Sequence, residues 1–242
     1  NAAIRTVEKR FFAHSMHAYF LRPGDPKRKI IYEVDPIRDG KSFTTRNVIA
    51  RQGGIAIFST SISFHIEEPG LSHQVEALQV PPPEELESDF DRWSRLATEN
   101  PGVIEPPLVH PIERKHVRPR DYLNPQPQEP QQQIWFRALG DLGDDLTRHQ
   151  TLLAFISDFG LLGSALLPHP YTGMNTDMQA ASLDHALWFH QPFRADDYLL
   201  YCLDSPIAAG ARGFSRGSFY TRDGILVAST AQESLQRIRT PN

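Results

Sequence analysis

Apolar residues in this chain gather into short strand-like runs that occur in two matching sets. Lys29-Ile30-Ile31-Tyr32-Glu33-Val34 and Tyr198-Leu199-Leu200-Tyr201-Cys202-Leu203 both predict strands. So do Ile55-Ala56-Ile57-Phe58 and Ile225-Leu226-Val227-Ala228, each entered through a glycine turn, Gln52-Gly53-Gly54 or Asp223-Gly224. Beyond pattern, the identities recur. Tyr19-Phe20 falls on Trp188-Phe189, Pro23 on Pro192, Tyr32 on Tyr201 and Asp35 on Asp204, each pair 169 positions apart. After a one-residue slip, Arg46 falls on Arg216, Gly54-Ile55 on Gly224-Ile225 and Ser59-Thr60 on Ser229-Thr230, at a spacing of 170. A period this long means duplicated domains, since solenoid repeats run about 20–50 residues. Two similar modules, each ending in an antiparallel meander, are expected to face each other with room for a site between them.

Between the two sets the texture changes. Prolines are frequent from Pro81-Pro82-Pro83 to Pro130, interrupted by a predicted helix from Glu84 to Glu99 with Leu86, Phe90, Trp93 and Leu96 at helical spacing. Ile112 to Arg118 and Gln133 to Leu139 then alternate like strands. A long helix is expected from Asp144-Asp145 through Leu162, with acidic capping residues at its start and Gly163, Pro168 and Pro170 ending it. The later module therefore reads as strand, strand, apolar helix, then long strands. An α+β architecture, an antiparallel sheet curled around one buried helix, fits that order. In the earlier module Asn1 to Glu8 reads only as a helix tail. The span of the repeat leads us to expect about 40 further upstream residues that complete it.

Composition narrows the classes. The single cysteine, Cys202, forms no intrachain disulfide, which favours a reducing, cytoplasmic setting. Against 29 acidic residues stand 25 basic ones, a net charge of −4 with no basic block, so nucleic acid is not expected as a partner. No apolar run reaches the ~18 residues of a membrane span. The final residues Arg239-Thr240-Pro241-Asn242 do not form a Ser-Lys-Leu address, and the start does not read as a signal peptide.

The chemistry starts in Leu152-Leu153-Ala154-Phe155-Ile156-Ser157-Asp158-Phe159-Gly160-Leu161-Leu162, where one acidic residue interrupts an apolar run. Burying a carboxylate costs several kcal/mol unless it is paired or hydrogen-bonded, and carboxylates so placed are enriched at functional sites. The plainer reading is that Asp158 caps a local break or faces a solvent gap near the helix end. Gly213-Phe214-Ser215-Arg216-Gly217 fits the G-x-S-x-G elbow of α/β-hydrolases. That elbow needs a strand-to-helix turn, whereas this segment runs into strand-like Ser218-Phe219-Tyr220, and no histidine follows residue 190. The match is taken as accidental. The ten histidines show no metal-ligand spacing, so no metal or cofactor is expected, and His185 and His190 are read as packing or hydrogen-bonding residues of a strand.

Several long motifs resemble the type II acyl-CoA thioesterases. They are His14-Ser15-Met16-His17-Ala18-Tyr19-Phe20-Leu21-Arg22-Pro23-Gly24-Asp25, Ser182-Leu183-Asp184-His185-Ala186-Leu187-Trp188-Phe189-His190 with Pro192-Phe193, Ala211-Arg212-Gly213-Phe214, Phe219-Tyr220-Thr221-Arg222-Asp223-Gly224 and Ala228-Ser229-Thr230-Ala231-Gln232-Glu233. The resemblance implies a double hotdog, two tandem sheets each wrapped around a long helix, with units at 1–66 and 111–242 and a Pro-rich connection at 67–110. The first unit would lack its N-terminal strand and most of its helix. It also implies hydrolysis of acyl-CoA to fatty acid and CoA by a water positioned by Asp158, Ser182 and Gln232, with no cofactor, and assembly into at least a homodimer. In the repeat Gln232 registers with Ile62 and Ser182 with Ala13, so one site per chain is expected. Arg22, Arg46, Arg212 and Arg216 are cations available to the CoA phosphates. The alternative is a non-catalytic acyl-CoA-binding protein of the same fold. A hydratase of that fold needs a paired acid and histidine that the sequence does not offer.

Overall fold

The computed structural model describes residues 1–239; Thr240-Pro241-Asn242, with the C-terminal tail read above, lie outside the described residues. The strands are β1 (Phe12–Phe20), β2 (Ile31–Asp39), β3 (Phe43–Gln52), β4 (Ile55–His65), β5 (Ile112–His116), β6 (Gln131–Ala138), β7 (Met178–Ser182), β8 (Asp184–Phe189), β9 (Leu199–Ala209), β10 (Arg212–Thr221) and β11 (Leu226–Ile238). They make one sheet in the order β2-β3-β4-β1-β8-β11-β10-β9-β6-β5, with β7 also beside β11. The two sets of strands therefore do not stand face to face as expected from the repeat. They join edge to edge through antiparallel β1 and β8. His17 pairs with Ala186, its own counterpart 169 positions on, so the local two-fold relating the sets passes through that pair.

Pairing registers carry the repeat into three dimensions. Ala18 pairs with Thr60 as Leu187 pairs with Thr230, and Ala13 with Phe64 as Ser182 with Ser234. β3 shifts register against β4 after Ala50, and β10 shifts against β11 after Phe219, so the bulge is repeated too. One assignment changes. Asp35 pairs with Asn47 as Asp204 pairs with Arg216, so Asn47 rather than Arg46 is the counterpart of Arg216. The extra residue belongs to the turn before β11, where a longer loop absorbs it without disturbing strand alternation.

The helices also depart from the sequence pattern. The expected helix from Glu84 begins only at Asp89, as α1 (Asp89–Glu99), because Ser88 caps it by accepting from the Asp91 N–H. Ahead of it lies a 3-10 turn, Pro83–Glu85. The expected helix over 144–162 is two helices, α2 (Leu146–Ile156) and α3 (Leu161–Leu166), and Gly163 lies inside α3 instead of ending it. Asp145 is the N-cap of α2, accepting from Thr147 N–H at 3.0 Å. Between the helices Gly160 adopts a left-handed conformation (φ 92°), with Ile134 and Leu203 methyls 3.3 Å from where a Cβ would sit. Asn1 to Glu8 contains only the 3-10 turn Ile4–Thr6.

Leu153, Ile156 and Leu161 pack on Ile134, Phe136, Leu187, Tyr201, Leu203, Phe219 and Val227 to form the main core on one face of the sheet. The Pro-rich connection covers part of the other face. Ala77, Val80 and Leu86 pack on Trp135, Tyr198, Leu200 and Tyr220, and Trp135 Nε1 donates to the Pro81 carbonyl at 3.0 Å. No helix among the described residues is long and apolar enough to cross a membrane.

The G-x-S-x-G segment lies wholly within β10, with no turn into a helix. Its second glycine has a packing reason. A Cβ on Gly217 would overlap the ring of Tyr201, which stacks on Phe219 at 3.7 Å between centroids. Gly217→Ala is therefore expected to destabilise the fold by about 1–3 kcal/mol through overpacking. Thermal unfolding measures this; an unchanged midpoint would show that the Tyr201 stack shifts freely.

Candidate active site

The helix break, the end of β7 and the middle of β11 converge at one place. Ser157 to Gly160 turn the chain between α2 and α3, so Asp158 sits in that turn and not inside a continuous helix. Ser182 is the last residue of β7, and Leu183 interrupts the ladder before β8. The corresponding place in β1 is the irregularity between Ala13 and Ser15. Gln232 lies on the inward phase of β11, with Thr230 and Ser234 on the same face.

A continuous chain of hydrogen bonds connects these residues. Ser182 Oγ donates to Asp158 Oδ1 at 3.0 Å, and Gln232 Nε2 donates to Ser182 Oγ at 3.0 Å. Gln232 Nε2 also reaches Ser234 Oγ at 3.3 Å, while Gln232 Oε1 lies 2.7 Å from His185 Nδ1. On its other side His185 Nε2 is 2.8 Å from Ser157 Oγ. Tyr201 donates to the Ser157 carbonyl at 2.8 Å and lies 2.7 Å from Thr230 Oγ1. Gln232 is 1% exposed, His185 3% and Ser157 fully buried, whereas Asp158 and Ser182 are only part-buried. The series is therefore accessible at its Asp158 end and enclosed at its Gln232 end.

Burial sets the charge states around it. It lowers the His185 pKa, outweighing the Gln232 hydrogen bond and the negative charges of Asp158 and Asp184 that raise it. Burial likewise raises the Tyr201 phenol well above its ordinary range, so it remains a protonated donor.

All three residues proposed from sequence meet here. His185, expected as a packing or hydrogen-bonding residue of its strand, is buried and bonded to Gln232 and Ser157, whereas Ser157, Tyr201 and Thr230 were not singled out from sequence. A signal was present: Thr230, Gln232 and Ser234 put polar side chains on alternate, inward positions of a long strand. Ser215 of the hydrolase-like motif is buried and donates to the Leu161 carbonyl at 2.7 Å, a structural bond. Of the four candidate cations, Arg46 is buried and bonded to Thr6 and Asp39, which removes it as a phosphate ligand. Arg212 pairs with Glu233 and Arg216 with Asp204, and Arg22 remains exposed while donating to the Ala56 carbonyl. A cavity of about 610 Å³ lies nearby, lined by Ile134, Phe136, Phe159 and Gly160 but by none of Asp158, Ser182 and Gln232.

This constellation sits in a chain with clear relatives. A family model described as acyl-CoA thioesterase matches residues 109–235, and one described as acyl-CoA thioesterase N-terminal domain matches residues 1–65. Human acyl-coenzyme A thioesterase 8 is 40% identical, over 98% of this chain and 77% of that protein. Acyl-CoA thioesterase 2 of Haemophilus influenzae is 33% identical, over 98% of this chain and 84% of that protein. The crystal structure of acyl-CoA thioesterase II TesB2 from Mycobacterium marinum superimposes with a TM-score of 0.82 at 41% identity, covering 99% of this chain and 86% of the other. A hot dog fold protein from Alicyclobacillus acidocaldarius shares the fold at 16% identity and a TM-score of 0.69. The chain is thus an α+β protein of the hotdog class. It belongs to the acyl-CoA thioesterase II family and is an acyl-CoA thioester hydrolase.

The buried histidine carries a pH consequence. Because the folded-state pKa of His185 lies below its ordinary 6.5, the unfolded chain binds more protons in that range. The stabilising contribution is complete above about pH 6.5 and is lost as pH falls below it. His14 and His190, also lowered by burial, act in the same direction. The thermal midpoint should fall between about pH 7.5 and 5.5, and fall less steeply in His185→Gln. Equal slopes for the two proteins would mean that His185 takes up its proton in place.

Proposed function

We propose that this chain hydrolyses acyl-CoA by direct attack of a water held by Asp158, Ser182 and Gln232. The observation that carries the proposal is the bonded Asp158–Ser182–Gln232 series, accessible at the Asp158 end and anchored at the Gln232 end. A thioester carbonyl is electrophilic and its thiolate leaves readily, so a positioned water with a base is sufficient. The water oxygen bonds to the carbonyl carbon while its proton passes to Asp158. The tetrahedral intermediate then collapses with cleavage of the C–S bond, releasing fatty acid and CoA, whose thiolate regains the proton. Ser182 bridges the carboxylate and the amide, and Gln232, whose NH₂ group donates to Ser182 and Ser234, acts on the water by holding Ser182 in place.

Ser182 acting as the nucleophile fits less well. Its hydroxyl proton is engaged by the carboxylate, its oxygen already accepts from Gln232, and its contacts include no histidine.

We also read the chain as two hotdog units, 1–66 and 111–242, joined by 67–110. Coincident strand registers and bulges support this reading. Among the described residues the first unit has no long helix on its sheet, and the trio belongs to the second. Self-association as at least a dimer is consistent with edge strand β2, which exposes Ile31, Tyr32 and Ile37. Sedimentation measures this directly, and a monomer across the accessible concentration range would remove it.

Thiol release from a short-chain and a long-chain acyl-CoA tests the mechanism. Asp158→Asn should lower kcat by about 10²–10⁴-fold, the usual worth of a general base, with fold and assembly unchanged. Ser182→Thr, which keeps the hydroxyl, should retain most activity and Ser182→Ala should not. A wild-type rate in Asp158→Asn removes the carboxylate from the chemistry, and a burst of thiol with trapped acyl-enzyme would instead indicate a covalent route.

A further inference from the structure

We infer that His185 is a positioning residue that fixes which face of the Gln232 amide meets Ser182, and that it does so as the neutral tautomer protonated at Nδ1. The inference rests on the water-activation reading above and deepens it. It follows from counting protons along the chain of contacts, as amide orientations and histidine tautomers must be assigned from their networks. An ionised Asp158 only accepts, so the single proton of Ser182 is directed to Asp158 Oδ1. Ser182 Oγ must then be an acceptor at its 3.0 Å contact with Gln232, which therefore presents its NH₂ group there. The Gln232 oxygen in turn lies 2.7 Å from His185 Nδ1, and this contact is a bond only if Nδ1 carries a proton. A neutral ring then has a bare Nε2, which accepts from Ser157 Oγ at 2.8 Å. Each member has one consistent role, from Ser157 to Asp158.

The opposite assignment fails at a definite point. If Ser157 gave its proton to the Ala154 carbonyl, 3.1 Å away, a neutral His185 would carry its proton on Nε2 to serve Ser157. Nδ1 would be bare, the Gln232 amide would turn over to supply it, and its oxygen would face the lone pairs of Ser182. Ser182 would lose the amide donor that holds it beside Asp158. His185 is the element that separates these two states. It lies on β8 opposite Ala18 of β1, and β8 runs between β1 and β11.

Steady-state kinetics with His185→Leu, His185→Asn and Gln232→Ala, alone and combined, tests this. Loss of Gln232 orientation in His185→Leu should reduce kcat by up to about 100-fold, the scale of a misplaced catalytic group, with KM little changed. His185→Asn, whose amide N–H replaces Nδ1–H, should recover most of that loss. In a Gln232→Ala background His185→Leu should cost nothing further, since the histidine acts through the glutamine. Independently of turnover, ¹⁵N shifts of the His185 ring in the wild-type protein should show a protonated Nδ1 and a bare Nε2. Additive losses, an Asn variant no better than Leu, or an Nε2-protonated ring would each overturn the inference. If Asp158→Asn in the same assay kept the wild-type rate, the water-activation reading itself would fall. If that variant collapsed while the His185 losses were additive, only the positioning role would fall.

Discussion

A helix that breaks inside a protein core exposes carbonyls that bulk water does not reach, and the placement of Asp158 depends on how this chain satisfies them. The Ser157 carbonyl, at the end of α2, accepts from Tyr201 of β9, and the Gly160 carbonyl, which already accepts from the Ser164 N–H as α3 begins, also takes Gln132 of β6 at 2.8 Å. Just beyond, the Leu161 carbonyl takes Ser215 of β10 and that of Leu162 takes Gln236 of β11. Each such bond has a net worth of about 0.5–1.5 kcal/mol, but leaving a buried acceptor unpaired costs about 1–3 kcal/mol. Side chains from four strands therefore hold the break in one geometry. Sheet and break determine each other, since Tyr201 reaches Ser157 only because Gly217 leaves room for its ring.

That constraint explains why the chemistry sits in one set of strands and is braced by the other. Gln232 and Ser182 correspond by register to Ile62 and Ala13, so the earlier strands carry apolar groups where the later ones carry the polar pair. The earlier strands still contribute mechanically. β1 pairs with β8 along Ser15 to Tyr19, and Gln150 of α2 donates to the Ala13 carbonyl at 2.8 Å. Helix α2, which leads into the Asp158 turn, is thereby tied to the seam between the two sets. Disturbing β1 would move the base and the histidine together.

Much of this was legible in the chain itself. The spacing of Tyr19-Phe20 from Trp188-Phe189 and of Ser59-Thr60 from Ser229-Thr230 reappears as equal pairing positions, because strand register preserves sequence spacing. Asp158 stood out as the one charge in an apolar run. The break at Ser157–Gly160 was present only as the plainer reading of Asp158, because Leu152 to Leu162 reads as one helix by composition, and the left-handed turn at Gly160 depends on Ile134 and Leu203 from remote strands. The location of the one-residue slip was misread for a related reason. Arg46 and Arg216 match by identity, but their pairing partners differ, and the side chains have different work: Arg46 is buried against Thr6 and Asp39, Arg216 is exposed and bonded to Asp204. The bond from His185 to Gln232 could not be read from sequence, because a histidine on a strand looks the same whether it packs or bonds to a neighbour.

A buried polar network is tolerable only when every member is satisfied, since the low dielectric that strengthens each bond also raises the cost of an unpaired group. The series from Ser157 to Asp158 meets that condition along its buried length and leaves its free valences at the carboxylate, where the proposed mechanism activates water. Its polarity is then set by charge. On the proposed reading an anionic Asp158 draws the Ser182 proton at one end, while His185 at the other fixes the face that Gln232 presents to Ser182. In the proposed mechanism the carboxylate takes up a proton during turnover, so the pull on Ser182 weakens while the buried members keep their bonds to His185 and to the Tyr201-anchored Ser157. Only the exposed end needs to reorganise as charge moves, which is the property electrostatic preorganisation requires.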